Sequence, residues 1–260
     1  MLGGAAERQY RRLRPEVERM PWGTLDPSRH PPSLVQAARR SWTLAAFQEH
    51  RTGAACAATL QALIAARAPV DLVAMATRFP LDELTHVEMC ARLAAELGGG
   101  TPLLHEPNVM VPVPSLERTP LERAAELVVR VFCVGEAVSI PLLRGTARAA
   151  THPLIRAVMG RIVKDEAAHG VFGFTVLDWA LERLTDSDKQ HLGRMADIAI
   201  DFLEQQWLDL AQRPRSSPHD GDVLGWMQTE PYLQAAHAAL ARDVTRPLLA
   251  RGIPLRPRQL

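Results

Sequence analysis

The chain has 260 residues, 47% of them hydrophobic, and a formal charge of +1. This length suits one large domain or two small ones, and the near-neutral charge gives no polybasic surface for nucleic acid or an acidic membrane. Because no apolar segment has the form of a secretory signal or a bilayer span, we expect a cytoplasmic protein without nucleic-acid or membrane partners.

The first predicted elements are an N-terminal arm and a long helix. Residues 1–32 are polar and then rich in proline, which predicts a short helix followed by irregular chain. A helix is predicted over 33–67, with a core stripe that runs at steps of three or four from Trp42 to Leu63. Glu49 is the only charged member of that stripe. Because burying a bare carboxylate is very costly, Glu49 must be paired, protonated or bound to a metal ion.

The second predicted helix, 70–97, carries an acidic motif on its apolar face. Its sequence includes Asp82 and Glu83, followed three residues later by His86. Residues three apart lie on the same face of a helix, so Glu83 and His86 can converge on one metal ion. A single Glu-x-x-His triplet is weak support, since it arises by chance in Glu-rich helices.

The third predicted helix follows a long connection. Residues 99–118 contain four prolines, which favour an extended crossover over a tight turn. Such a connection fits a bundle whose second and third helices are parallel. The helix is predicted over 119–149, starting at the cap signal Thr119-Pro120. Glu136 is the only acid on its apolar stripe.

The fourth predicted helix, 152–184, repeats the motif of the second. Asp165, Glu166 and His169 give a second Asp-Glu-x-x-His sequence on an apolar face. The chain therefore presents two halves of the same order, a helix with a lone Glu and then a helix with Glu-x-x-His. This echo suggests a pseudo-twofold relation between the halves.

The remaining chain predicts two more helices and completes the expected fold. These are 187–212 and 230–250, separated by a polar loop at 213–221. We expect an all-α fold, with a four-helix bundle at 33–184 and a long crossover between its second and third helices. The C-terminal helices of 185–260 should pack on this bundle, so that the chain forms a single domain.

Six side chains form the predicted metal centre. They are Glu49, Glu83, His86, Glu136, Glu166 and His169. Four carboxylates balance two divalent cations, and carboxylates with imidazoles suit iron or manganese. We expect Glu83 and Glu166 to bridge or chelate the ions, and Glu49 and Glu136 to be terminal ligands. His86 and His169 should each bind one ion. The alternative is a plain bundle with salt-bridged core acids, but the stripes contain no Lys or Arg to pair with them.

The two aspartates of the motifs have a separate predicted role. A metal-bound imidazole needs a hydrogen-bond acceptor for its other ring nitrogen. In a pseudo-symmetric pair of helices, Asp82 could reach His169 and Asp165 could reach His86. The alternative is that both aspartates lean toward the surface.

Small or apolar residues near the ligands are candidates for a substrate pocket. They are Gly53, Cys56, Cys90, Phe132, Cys133 and Gly173. The glycines could instead serve only to let helices pack closely. The three cysteines lack the spacing of a disulfide framework or a zinc knuckle, and buried Cys is usually a small hydrophobe.

The order of the predicted ligands resembles that of the ferritin-like di-iron carboxylate superfamily. The motif runs Glu49, Glu83-x-x-His86, Glu136, Glu166-x-x-His169. The Asp-Glu-x-x-His form is most similar to the oxygenase and hydroxylase branches. The chain departs from the radical subunit of ribonucleotide reductase, since Tyr10 and Tyr232 lie outside the bundle. It also departs from the N-oxygenase branch with a third histidine, where it has Ile162.

The resemblance implies a non-haem di-iron oxygenase or oxidase. Such a protein uses two iron ions, or a mixed manganese and iron pair, to activate dioxygen and to hydroxylate, desaturate or N-oxygenate a small organic substrate. It needs an external electron donor, and the resemblance allows a homodimer. Two rival interpretations stay open: a ferroxidase, peroxide-scavenging or iron-handling protein, and a scaffold whose metal is only structural.

Overall fold

The chain is all-helical wherever its structure is described. The computed structural model describes residues 1–103, 113–212, 224–225 and 227–258. No β-strand occurs in these ranges, and none of their helices is long and apolar enough to cross a membrane. The predicted loop at 213–221 and the middle of the predicted crossover lie outside the described residues.

The N-terminal arm contains short helical segments that pack on the body of the molecule. They are α1 (Gly4–Arg12), α2 (Pro15–Glu18) and a 3₁₀ turn at Pro27–Arg29. Val17 and Leu25 from this region are buried among side chains of the long helices. The arm is therefore anchored by apolar contacts as well as by its charged residues.

Two long helices, α3 (Pro32–Ala65) and α4 (Val70–Glu96), pack against each other along their lengths. Both start with proline in or just before the first turn, where its missing N–H costs nothing. A Cβ added to Gly53 of α3 would lie 3.1 Å from the Cβ of Glu83. The glycine thus lets the two helices approach closely at the level of the predicted ligands.

The third predicted helix consists of three consecutive helical segments. These are α5 (Pro120–Val128), the π-helix π1 (Val129–Glu136) and α6 (Ala137–Ala149). The start is fixed by a capping box, in which Thr119 and Glu122 each accept a hydrogen bond from the other's backbone N–H. The start and end agree with the sequence prediction, whereas the π-helical turns in the middle have no simple sequence signal.

Helix α7 (Pro153–Leu181) packs against α4, α5, π1 and α6. Its contact with π1 depends on a glycine. A Cβ added to Gly173 would lie 2.7 Å from the Cβ of Phe132, too close for any larger residue without a shift. Glu166 and His169, the predicted ligands of α7, lie close to Glu136 at the end of π1.

The C-terminal helices cover one side of this assembly. They are α8 (Asp186–Ala211), α9 (Thr229–Ala239), the π-helix π2 (Leu240–Thr245) and α10 (Arg246–Ala250). Helix α8 packs on α5 and π1, while α9 packs on α6 and α8. The predicted last helix is thus interrupted by π-helical turns.

The core of the described residues contains two apolar clusters, which a polar layer separates along α3, α4 and α7. The aromatic cluster includes Cys56, Phe79, Phe132 and Phe172. The Trp42 cluster includes Trp42, Cys90, Met159 and Ile162. On α3, α4 and α7 the predicted ligands lie between the two clusters, and Glu83, His86, Glu166 and His169 are buried.

Candidate metal centre

The polar layer brings together all six predicted ligands. Their oxygen and nitrogen atoms form two groups, and within each group the atoms lie within 4.8 Å of one another. The first group is Glu49, Glu83, His86 and Glu166, and the second is Glu83, Glu136, Glu166 and His169. The groups share Glu83 and Glu166, the pair that the sequence predicts to bridge or chelate the ions.

Local helix geometry explains how each ligand reaches the layer. The two Glu-x-x-His pairs lie on α4 and α7, where a spacing of three places both side chains on one face. Glu136 is the last residue of π1. A π-helix shifts the register of the following residues relative to an α-helix, and such segments are frequent at functional sites.

Several buried atoms of this layer have no hydrogen-bond partner. Both carboxylate oxygens of Glu83 and the Nδ1 atoms of His86 and His169 are buried and unsatisfied among the described residues. His169 Nδ1 lies 2.9 Å from Glu166 and 3.2 Å from Glu83, and neither contact has hydrogen-bond geometry. Buried polar atoms normally have partners, so atoms that converge without bonding one another fit a bound cation.

The charge of the layer also fits cations. Glu83, Glu136 and Glu166 are at most 6% exposed, and among the described residues no Lys or Arg forms an ion pair with them or with Glu49. Burial raises the pKa of Glu49 to about 8 and that of Glu136 well above its ordinary value. Burial without metal therefore favours the protonated form of both carboxyls, and a metal ion would take the place of that proton.

The histidines offer one ring nitrogen each to the layer. His86 Nε2 lies 3.2 Å from an oxygen of Asp165, within hydrogen-bond distance, so its Nδ1 faces the glutamates. His169 Nε2 lies 3.9 Å from Asp82, which is an ion-pair contact but longer than a hydrogen bond. Burial lowers the pKa of His169, but Asp82 and the neighbouring glutamates outweigh it and raise the pKa to about 12.

The two aspartates are themselves held by arginines that the sequence analysis did not single out. Arg78 Nε lies 2.8 Å from Asp82, and its Nη2 lies 3.3 Å from Asp165, so one guanidinium joins both halves. Arg161 Nε contacts Asp165 at 2.6 Å. Both arginines lie four residues before an aspartate of their own helix, a spacing that could have revealed them.

The two ends of the layer differ in access. On the His169 side, the rings of Phe79 and His169 have their centroids 4.2 Å apart, and Phe132 and Phe172 pack edge-on around them. On the other side, the Glu49 side chain is 15% exposed and lines a cavity of about 140 Å³. Among the described residues, aromatic rings therefore cover the His169 end of the layer, whereas the Glu49 end adjoins a cavity.

The three cysteines lie near the layer but not in either ligand group. Cys90 lines the cavity beside Glu49. Cys56 and Cys133 are buried in the aromatic cluster. Burial raises the pKa of all three thiols, so they remain protonated and are poor ligands.

The other pocket candidates serve close packing. Gly53 lies against Glu83, and Gly173 lies against Phe132. Phe132 itself packs on Phe79 in the aromatic cluster. None of these three residues lines the cavity beside Glu49. That cavity has other walls, chiefly from the Trp42 cluster.

Sequence comparison adds no relative to this description. No protein-family model matches the chain, and no curated protein is similar to it in sequence. The fold and the site alone therefore define the class. Over its described residues the chain is an all-helical protein with a buried glutamate and histidine cluster that could bind metal, compatible with a ferritin-like di-iron fold.

Proposed function

We propose that the protein is a di-iron oxidoreductase that activates dioxygen to oxidise a small organic substrate. The observation that carries the proposal is the pair of overlapping ligand groups, each with one histidine and three glutamates. Two divalent cations balance the four carboxylates, and this hard donor set suits iron or manganese. The oxidation is a hydroxylation, a desaturation or an N-oxygenation.

The order of the apolar clusters along each helix supports a ferritin-like bundle. Helix α3 runs from Trp42 in one cluster to Cys56 in the aromatic cluster, and α4 runs back from Phe79 to Cys90. The segment from π1 to α6 starts at Phe132 in the aromatic cluster, and its later residues Leu143 and Ala147 pack on the Trp42 cluster, so it runs in the direction of α4. Parallel second and third segments require a long crossover, as in ferritin-like proteins.

The residues of this chain would divide the work as follows. Glu83 and Glu166 belong to both ligand groups and would bridge the two ions. His86 and His169 would each hold one ion through Nδ1. Asp165 fixes the ring of His86, an interaction that keeps a ligand oriented and basic.

The surroundings would control access to the reacting atoms. The rings of Phe79, Phe132 and Phe172 exclude water from the His169 side. Two ferrous ions held here would supply electrons to dioxygen. Exclusion of water strengthens every electrostatic interaction within the layer and limits side reactions.

The overall reaction needs an external reductant. In a hydroxylation, one oxygen atom enters a C–H or N–H bond of the substrate and the other leaves as water. This consumes two electrons and two protons beyond those of the substrate. We therefore include an electron-donor partner in the proposal.

Oxygen consumption by the reduced, iron-loaded protein tests the proposal. We expect the wild-type protein to bind two irons and to consume oxygen, and Glu166→Ala to do neither. Glu182→Ala, a surface change at the end of α7, is the matched control and should behave as wild type. A Glu166→Ala protein that still binds two irons would contradict the site.

The same experiment separates the rival function. With candidate substrates and ¹⁸O₂, a product that gains labelled oxygen or loses two hydrogens supports the oxidoreductase. Oxygen consumption that only accumulates ferric iron, with no organic product, supports a ferroxidase or iron-handling protein instead.

A further inference from the structure

The cavity beside Glu49 has mainly apolar walls. It lies between α3, α4, α6 and α7, and its volume is about 140 Å³. The residues that make the lining apolar include Trp42, Cys90, Leu143, Met159 and Ile162. Trp42, Met159 and Ile162 are at most 5% exposed, so these walls are fixed parts of the core.

The size of the cavity suggests the size of its ligand. An apolar protein cavity of roughly 150 Å³ stays dry and binds benzene. A space of about 140 Å³ thus accommodates one six-membered carbon ring or an apolar group of similar bulk. Larger molecules would have to leave the rest of their structure outside.

The charges of the described residues around the cavity disfavour an anionic ligand group. No Lys, Arg or His of the described chain lines it, and Glu49 stands at its inner end. A carboxylate placed there would be desolvated beside another acid without a counter-charge. The remaining polar side chains on the wall are the hydroxyls of Ser41 and Thr146, which suit a neutral ligand.

The cavity meets the metal centre at one side only. Glu49 is both a wall of the cavity and a member of the ligand group that contains His86. The other five predicted ligands are at most 6% exposed. Ser41 is exposed, which places the mouth of the cavity at that end of α3. A molecule that enters past Ser41 would stop against Glu49.

A glycine closes part of the wall. Gly225 has a φ of +97°, and a Cβ there would lie 2.8 Å from the Trp42 ring. The Trp42 indole Nε1 donates a hydrogen bond of 3.1 Å to the backbone carbonyl of Leu224. The indole is therefore held in one position, and the cavity keeps its size.

We propose that this cavity binds the reacting part of the substrate, and that this part is a neutral, apolar group of about the size of a benzene ring. The assignment of a substrate rests on the proposed function, whereas the binding of such a group rests on the cavity alone. The oxidised atom then faces the Glu49 and His86 side of the centre. The His169 side, closed by the aromatic cluster, receives no substrate.

Binding of toluene, measured by isothermal titration calorimetry, tests this inference without turnover. Toluene should bind the cobalt(II)-loaded protein, change its visible absorption, and bind at least tenfold more tightly than benzoate. Ala45→Leu fills the cavity, because Ala45 lines it one turn before Glu49. This variant should bind toluene at least tenfold more weakly, whereas Ala57→Leu, at an exposed position of the same helix, should bind as wild type.

A second variant keeps the test open if Ala45→Leu does not fold. Met159→Ala enlarges the cavity, so propylbenzene should bind this variant at least tenfold more tightly than it binds wild type. The inference would be overturned if folded Ala45→Leu bound toluene, and folded Met159→Ala bound propylbenzene, as wild type does. It would also be overturned if wild type bound benzoate as tightly as toluene.

Failure of this inference is distinguishable from failure of the proposed function. Two bound cobalt ions without toluene binding would overturn the cavity assignment and leave the metal centre intact. Toluene binding that Ala45→Leu abolishes, in a protein that binds no cobalt, would support the apolar site and overturn the di-metal function.

Discussion

The four glutamates of the polar layer differ in how many of the two candidate ligand groups they belong to. Glu83 and Glu166 each belong to both ligand groups, while Glu49 and Glu136 belong to one each. A bridging carboxylate holds both ions, whereas a terminal one holds a single ion. Substitution of these glutamates should therefore change the number of bound metal ions to different extents, as well as the affinity for them.

Metal stoichiometry tests this difference directly. We expect Glu83→Ala to bind no cobalt(II) and Glu49→Ala to keep about one ion per chain, because the second group remains complete. Equilibrium dialysis followed by elemental analysis gives both numbers. Equal losses in the two variants would contradict a bridging role for Glu83.

Glu49 and His169 should make the metal-free protein less stable as the pH rises. Folding raises the pKa of Glu49 from 4.5 to about 8, so the folded state retains a proton that the unfolded state releases. This contribution to stability is complete below about pH 4.5 and is lost as the pH rises to about 8. The raised pKa of His169 acts in the same direction above its unfolded value of 6.5.

We therefore expect the free energy of unfolding of metal-free protein to fall between about pH 5 and pH 8. Urea denaturation with a chelator present measures it. Glu49→Gln should make the free energy of unfolding depend less steeply on pH, whereas the surface change Glu182→Gln should leave this dependence unchanged. A stability that rises over this interval would show that the two buried groups do not govern it.

The aspartates behind the histidines should also differ in effect. Asp165 is within hydrogen-bond distance of His86 at 3.2 Å, whereas Asp82 lies 3.9 Å from His169. Loss of such a partner typically costs about 10- to 100-fold in metal affinity. We expect Asp165→Asn to weaken cobalt(II) binding in this range, and Asp82→Asn to weaken it less.

Asp178→Asn is the control for these titrations. Asp178 lies on α7 with Asp165 but pairs with Arg251 at the surface, so its loss should not change metal affinity. If Asp165→Asn binds metal as tightly as Asp178→Asn, the aspartate serves only the arginine contacts that surround it.

At the scale of the elements, the contact between α7 and π1 sets the level of the ligands. A Cβ at Gly173 would meet the Cβ of Phe132 at 2.7 Å and the backbone nitrogen of Cys133 at 3.2 Å. One of these helices must shift to admit it. Because π1 carries Glu136 and α7 carries Glu166, the shift should disturb metal binding as well as packing.

Gly173→Ala should destabilise the protein by about 1–3 kcal/mol, the usual cost of overpacking a core. Gly160→Ala on the same helix is the matched control, since a Cβ there meets nothing within 4 Å. That change should stabilise the protein by about 0.5–1 kcal/mol through helix propensity. Thermal denaturation of both variants checks the prediction. Equal changes of the melting temperature in the two variants would contradict it.

The helices were largely predictable because their signals are local. Proline at the first turn, the capping box at Thr119 and stripes at steps of three or four all act within a few residues. The π-helical turns of π1 and π2 were not predictable, since they depend on packing between distant segments. The third and last predicted helices therefore have the right extent but the wrong internal geometry.

At the scale of the whole molecule, the polar layer was predictable but its access was not. The ligands stand out because an acid on an apolar stripe has few explanations. The walls of the cavity come from four helices and from Gly225. On the other side of the layer, the ring of Phe79 on α4 packs on the ring of His169 on α7. Such juxtapositions of distant residues leave no periodic trace in one sequence.

Anomalous X-ray diffraction from crystals of the iron-loaded protein would show whether the polar layer holds two metal ions. We predict two iron peaks about 3.5–4 Å apart, the usual spacing of two-metal sites, with Glu83 and Glu166 contacting both. A single peak, or peaks away from the six side chains, would contradict the account.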